Sequence, residues 1–204
     1  MKLALNTVVW GESYARLLID RSLPTLFSAG NLLDEEYRES FVYQLMTTRP
    51  DFEFISRSAI YQRLAATVAV DVWFVDDIQV DESEATHKYN RVSIAQSVGM
   101  RRAADQNCDG IFFLYPDFIY STGCLATIAK KLADGHCAVM CSIPFISQEA
   151  IADGAITRLG CELYTEHGRE VSLTPRQLVK LNMARPHPVN LGFDEDSGVY
   201  GEWP

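Results

Sequence analysis

Apolar positions fall in short blocks separated by polar, helix-spaced stretches. Leu3–Trp10 (LALNTVVW) is a β-rich run ending at Gly11, and Glu12–Ser22 follows with Tyr14, Leu17, Leu18 and Arg21 at helical spacing. Pro24 restarts the chain as a short turn or helix, and Ala29-Gly30-Asn31 reads as its stop. Phe41–Thr47 (FVYQLMT) predicts a second strand, and Ser58–Val68 a helix capped by Ser56 or Ser58. Val70–Val75 (VDVWFV) predicts a third strand, closed by Asp76-Asp77, and Gln79–Thr86 a polar connection. A long helix is expected from His87 to Gln106. The unbroken apolar run Ile111–Tyr115 (IFFLY) then has the pattern of a strand buried on both faces. Leu125, Ile128, Ala129, Leu132 and Ala133 form one helical stripe between Thr122-Gly123 and Gly135, and Cys137–Ile143 (CAVMCSI) predicts a further strand.

Strand followed by helix, repeated, predicts an α/β fold: a mostly parallel, Rossmann-like sheet with helices on both faces. From Ser147 the pattern weakens, and Ile151–Arg169, with three glycines, is expected to hold an antiparallel pair. Thr174-Pro175-Arg176-Gln177 is a helix start: Thr as N-cap, Pro at the first helical position, Gln three residues after the cap. That helix must end by Arg185, because Pro186 and Pro188 cannot continue it. The chain thus divides into an α/β unit over 1–146 and an irregular extension over 147–204. The uncapped end Gly201-Glu202-Trp203-Pro204 suggests that a longer chain is the natural unit, and the aromatics near it would suit contact with a second copy.

Composition narrows the partners. The chain of 204 residues carries 18 Lys and Arg against 27 Asp and Glu, a formal charge of −9, which argues against a surface that neutralises nucleic-acid phosphates. No apolar run approaches the ~20 residues of a membrane-spanning helix. Asn6 and Thr7 interrupt the apolar start, so a strand is expected there instead of a signal peptide. Five cysteines (108, 124, 137, 141, 161) include no CxxC pair, and the reading is of buried, reduced thiols in a cytoplasmic protein.

In an open parallel sheet, ligands bind beyond the carboxyl ends of the strands. Those ends carry Trp10-Gly11, Asp76-Asp77 and Pro116-Asp117: carboxylates expected to converge on one edge, and a glycine that lets a ligand approach the backbone. Hard oxygen donors of this kind suit Mg²⁺ or Mn²⁺ and a diphosphate. There is no GxxxxGK[ST], GxGxxG or GxSxG, which disfavours nucleoside triphosphatases, nicotinamide-binding domains and α/β-hydrolases. The four histidines show neither HxH nor HExxH spacing.

Asn90-Arg91, Gly99, Ala103 and CDGIFFLYPDFIYSTGCL (Cys108 to Leu125) together resemble the central stretch of GT-A-type glycosyltransferases. In that family a polar-started helix leads to a hydrophobic strand ending in an acidic DxD motif. VVWGESYARLLIDRSLPTLFSAGNL (Val8 to Leu32) resembles the start of bacterial members, and LTPRQLVKLNMARPHP (Leu173 to Pro188) an element that follows their nucleotide domain. The resemblance implies a nucleotide-sugar donor and an acceptor hydroxyl, with nucleoside diphosphate released. It implies Trp10 and Gly11 at the base, Asp76 or Asp77 near the nucleoside, and Arg91 at the phosphates. Asp117 would hold the Mg²⁺ or Mn²⁺. Glu149 would be the base for the acceptor proton, with Asp153 and Glu162 as alternatives, and His187 would touch diphosphate or metal. The chain departs from the motif in one place: it reads Tyr115-Pro116-Asp117, an aromatic in place of the first acid. That leaves a one-Asp metal site, a metal-independent enzyme and a non-catalytic binding or assembly domain all open. A sugar-phosphate nucleotidyltransferase is a further alternative, although Trp10–Arg16, with one Gly and one Arg, matches poorly the Gly-rich, Arg/Lys-containing loop of that class.

Overall fold

A computed structural model of the chain describes residues 1–34, 39–79, 87–141, 146, 155–166, 168–184 and 186. Four parallel strands, β1 (Leu3–Val8), β2 (Phe41–Thr47), β3 (Ala69–Phe74) and β4 (Gly110–Leu114), form one sheet in the order β3-β2-β1-β4. This is the expected α/β architecture of Rossmann-like type. The chain steps from β1 to β2 to β3, then crosses back to place β4 on the other side of β1.

One sheet face is apolar. Leu3, Leu5, Phe41, Tyr43, Leu45 and Leu114 are buried there, with Val70, Val72 and Phe112 packed beside them. Their cover is α1 (Glu12–Leu17), α2 (Leu23–Leu26), α3 (Arg49–Ser56), α4 (Ala59–Thr67) and α6 (Cys124–Ala133), which contribute Ala15, Leu23, Leu26, Ile55, Leu64 and Leu125. A fully buried leucine of this kind stabilises by roughly 1.5–3 kcal/mol relative to exposure. The opposite face carries the 19-residue helix α5 (His87–Asp105), whose buried residues Ala95, Gly99 and Ala103 are all small. Small residues at a spacing of four let the helix lie close to the strands. Among the described residues no helix is long and apolar enough to cross a membrane.

The helix expected over Glu12–Ser22 forms, but with a π-helical turn at Leu18–Ser22. Pro24 explains the break: it has no N–H to give the carbonyl of Asp20 four residues earlier, and that oxygen accepts from Arg169 Nη1 at 2.9 Å instead. Helix α3 was not expected; Thr48 caps it by accepting from the Asp51 N–H. Ser58 is the cap of α4, accepting from the Tyr61 N–H.

Two strand expectations are corrected. Cys137–Cys141, the described part of Cys137–Ile143, forms no strand, and Met140 is 94 % exposed. An apolar run becomes a strand when neighbours pair with it and cover it, and among the described residues nothing does so here. Among the described residues β4 is an edge strand, and its Ile111–Phe113 are half-buried, less covered than the unbroken apolar run IFFLY predicted. The thiol expectation changes with it: Cys137 and Cys141 are exposed and Cys108 and Cys124 half-buried, all four free.

The C-terminal part supplies the antiparallel pair β5 (Cys161–Thr165) and β6 (Gly168–Ser172), then α8 (Pro175–Ala184) after the short α7 (Ala155–Leu159). The start of α8 forms as expected: the Thr174 N–H donates to Gln177 Oε1 at 2.7 Å, and the Gln177 N–H to Thr174 Oγ1 at 3.3 Å. This part packs against the first through the Arg63–Glu170 ion pair and the Thr122 N–H to the Leu173 carbonyl, 2.8 Å.

Candidate functional site

Because β2 and β3 lie to one side of β1 and β4 to the other, the strand order reverses between β1 and β4. Their carboxyl ends frame the crevice where open α/β sheets take ligands. Trp10-Gly11 and Tyr115-Pro116-Asp117 follow those two strands. Gly11 has φ 83°, a left-handed conformation natural to glycine, with open space where a Cβ would stand. Trp10 is half-buried, packs against the core of Met46, Val75, Ile78 and Ala95, and has the Arg91 guanidinium 5.9 Å from its ring centroid.

The carboxylates do not converge. Asp76 and Asp77 follow β3 and Asp117 follows β4, three strand spacings apart and so on the order of 14 Å. Arg49, the first residue of α3, engages the first two: Nη1 lies 3.3 Å from Asp76 Oδ2, and Nη2 lies 3.5 Å from Asp77 Oδ2. Its backbone N–H donates to Asp76 at 3.0 Å, and its guanidinium covers the Phe74 ring at 4.8 Å. Asp117 is different. It is exposed, and among the described residues no cation lies within ion-pair reach of it. The protein around its carboxyl removes water and holds its pKa above the ordinary value, with its own backbone N–H acting the other way.

The loop carrying Asp117 is held by buried polar groups that sequence reasoning missed. Asn31, read as part of a helix stop, is fully buried. Its Oδ1 accepts from the Leu125 N–H at 2.9 Å, capping α6, and its Nδ2 donates to the Ser121 carbonyl at 3.0 Å. Gly30 and Gly123, both at φ 72°, bring two backbones into contact: a Cβ on Gly30 would stand 2.5 Å from Gly123 Cα. Thr25 Oγ1 accepts from the Tyr120 N–H at 3.1 Å, and Ser22 Oγ donates to the Tyr115 carbonyl at 3.2 Å. The only sequence signal was a cluster of small polar residues in Ser22–Asn31, whose partners lie some ninety positions away.

Glu149, Asp153 and His187 lie outside the described residues. Glu162 is on β5, ion-paired with Arg169. The motif neighbour of Asp117 is Tyr115 in place of an acid, so Asp117 is the one carboxylate this motif offers a divalent cation, whose remaining positions would go to water and phosphate oxygens. Among the described residues no group of three or more His, Cys, Asp or Glu gathers in reach of one ion. Two open hollows, about 480 and 240 Å³, lie beside Phe41 at the opposite, amino end of the strands; Lys2 and Ala66 line one, Met1 and Ala129 the other.

No protein-family model matches the chain, and no curated protein is significantly similar to it.

Proposed function

We propose that the chain binds a nucleotide-activated sugar at the β1/β4 crevice and transfers the sugar to an acceptor hydroxyl, releasing a nucleoside diphosphate. The observation that carries this reading is the strand order, which sets Trp10-Gly11 and Asp117 on the two lips of one crevice. The likeness of Cys108–Leu125 to GT-A enzymes supplies the chemistry. Trp10 would flank the base and Arg91, beside it, would meet the phosphates. In the transfer, the acceptor oxygen bonds to the anomeric carbon as the carbon–phosphate oxygen bond breaks. The electron pair leaves with the diphosphate, and the acceptor proton passes to a carboxylate, for which Glu149 is the candidate.

A second reading, a GT-A-like binding domain without transfer, draws on the engagement of Asp76 and Asp77 by Arg49. Calorimetry with UDP-, GDP- and CDP-sugars, with and without Mn²⁺, tests both. The transferase reading expects saturable binding for one base and slow release of diphosphate, and the Mn²⁺ arm decides whether Asp117 works with a metal. Binding without release in the presence of varied acceptors favours the second reading. No binding to the full chain, together with no effect of Asp117→Ala, removes both.

A further inference from the structure

Helix α8 has two unlike faces. Leu181 is buried and Leu178 partly so, packed into the second core with Val171 and with Ile119 of the loop that follows β4. On the outer face Arg176, Val179, Lys180 and Met183 stand at i, i+3, i+4 and i+7, which is one stripe of a helix, and all four are exposed. Val179 is 53 % and Met183 77 % exposed. The helix contains no Asp or Glu, and among the described residues no carboxylate pairs with Arg176 or Lys180.

Two cations interleaved with two bare apolar side chains suit an occupant that is acidic and apolar at once. The chain supplies one close by. Phe193-Asp194-Glu195-Asp196, with Val199, Tyr200 and Trp203 after it, sets three consecutive acids among aromatic residues. These positions lie outside the described residues. Nine residues, 185–193, separate Ala184 from Asp194 and can extend by ~30 Å, whereas the stripe from Arg176 to Met183 is only ~10 Å long. We propose that residues 193–203 dock on the outer stripe of α8 in the same chain. The acids would meet Arg176 and Lys180, and the aromatic side chains would cover Val179 and Met183. A linker this short holds the segment at millimolar effective concentration, which favours it over a second copy of the chain. An anionic membrane or a separate acidic partner would approach against the overall charge of −9, whereas the segment is already in reach. The proposal is independent of the nucleotide-sugar reading.

The test uses the full chain. After treatment with a water-soluble carbodiimide at low salt, the monomer is isolated by size exclusion and mapped by mass spectrometry. An amide between Lys180 Nζ and Asp194, Glu195 or Asp196 is expected. A glutamate-specific protease then times cleavage after Glu195, read as release of the segment that begins at Asp196. Arg176→Glu with Lys180→Glu should speed this cleavage roughly threefold to tenfold at low salt, and so should Val179→Ser with Met183→Ser. Added salt should bring the wild type toward the charge-reversed helix. The substituted side chains are exposed, so thermal midpoints should hold, and the cross-link needs no variant. The proposal is overturned if no cross-link from Lys180 to the three acids appears in the monomer. It is equally overturned if cleavage is as fast in the wild type as in both helix variants. Cross-links confined to a dimer fraction would assign the stripe to a second copy instead. Unchanged cleavage, with phosphatidylserine vesicles retaining the wild type but not the charge-reversed helix, would assign it to a lipid surface.

Discussion

The Gly11 N–H donates to the carboxylate of Asp51 at 2.8 Å, so a side chain from α3 already sits on the amide that opens the turn after β1. Asp51 also accepts from Thr48 Oγ1 at 2.6 Å, which fixes it there. In phosphate-binding folds built on such a sheet, backbone amides at that turn meet the ligand's anionic oxygens. Here the negative charge is internal.

Asp51→Asn keeps an oxygen for Gly11 and removes the charge. A unit charge about 6 Å from a phosphate in near-aqueous surroundings opposes it by ~1 kcal/mol, so the variant should bind nucleoside diphosphate about fivefold tighter at low salt. The gain should shrink as salt is added. Titrations at two ionic strengths measure it, and equal affinities for the two proteins at both would show that the ligand's phosphates lie elsewhere.

Asn31 connects the fold to the crevice. Its side chain joins α2 to the 115–122 loop and the first turn of α6 through bonds to Leu125 and Ser121, with further donation to Ser28 Oγ at 3.0 Å. Asn31→Ala would leave a buried N–H and a buried carbonyl unpartnered, a loss of about 2–4 kcal/mol for two such groups. Urea unfolding should show the lowered midpoint. Asn31→Asp keeps the cap on Leu125 but not the donation to Ser121, and should fall between.

What was legible in the sequence was local. Phe41–Thr47 announces itself by composition and forms a strand with those bounds, and Thr174 with Gln177 specifies a helix start that forms. The parallel alternation follows because each apolar run is too short to be a buried helix and is followed by a helical stripe. The crevice was legible only in outline. That Asp76 and Asp77 belong to Arg49, or that Asn31 reaches Ser121, depends on strand order and distant partners, which no spacing along the chain encodes. Cys137–Cys141 misled for the complementary reason: its β-rich composition is real, but strand formation needs a covered neighbour.

The sheet's second face carries a polar row that register alone creates: Asn6 pairs with Gln44 across β1 and β2, and Gln44 with Asp71 across β2 and β3. Asn6 Nδ2 donates to Gln44 Oε1 at 3.2 Å, both side chains buried, and Gly99 of α5 lies directly on them. A Cβ at Gly99 would stand 2.3 Å from Asn6 Nδ2 and 3.2 Å from Gln44 Oε1. Gly99→Ala should therefore destabilise by about 1–3 kcal/mol, against the ~1 kcal/mol that alanine normally gains over glycine inside a helix. Denaturant midpoints give the sign directly. A more stable variant would mean that α5 can lift off the sheet without loss.

At the far end of that row Asp71 receives Arg102 Nε at 2.8 Å and Gln106 Nε2 at 2.7 Å, tying α5 to β3. The Arg102 hydrogen bond holds the Asp71 carboxyl below the ordinary carboxylate range; burial acts against it, and Gln106 and the Arg102 charge add to the lowering. The unfolded chain therefore takes up this proton at higher pH than the folded one. The contribution is fully present above the unfolded value near 4 and is lost as pH falls through the lower folded value. Arg102 is about one-third exposed, so water and salt weaken the pair, and its contribution should be about 1 kcal/mol. Asp71→Asn keeps the shape and drops the charge. The difference in urea stability between wild type and variant should be constant from pH 8 to 5 and close progressively below pH 4. A difference that instead grew on acidification would require a carboxyl raised on folding, the reverse of what the Arg102 contact produces.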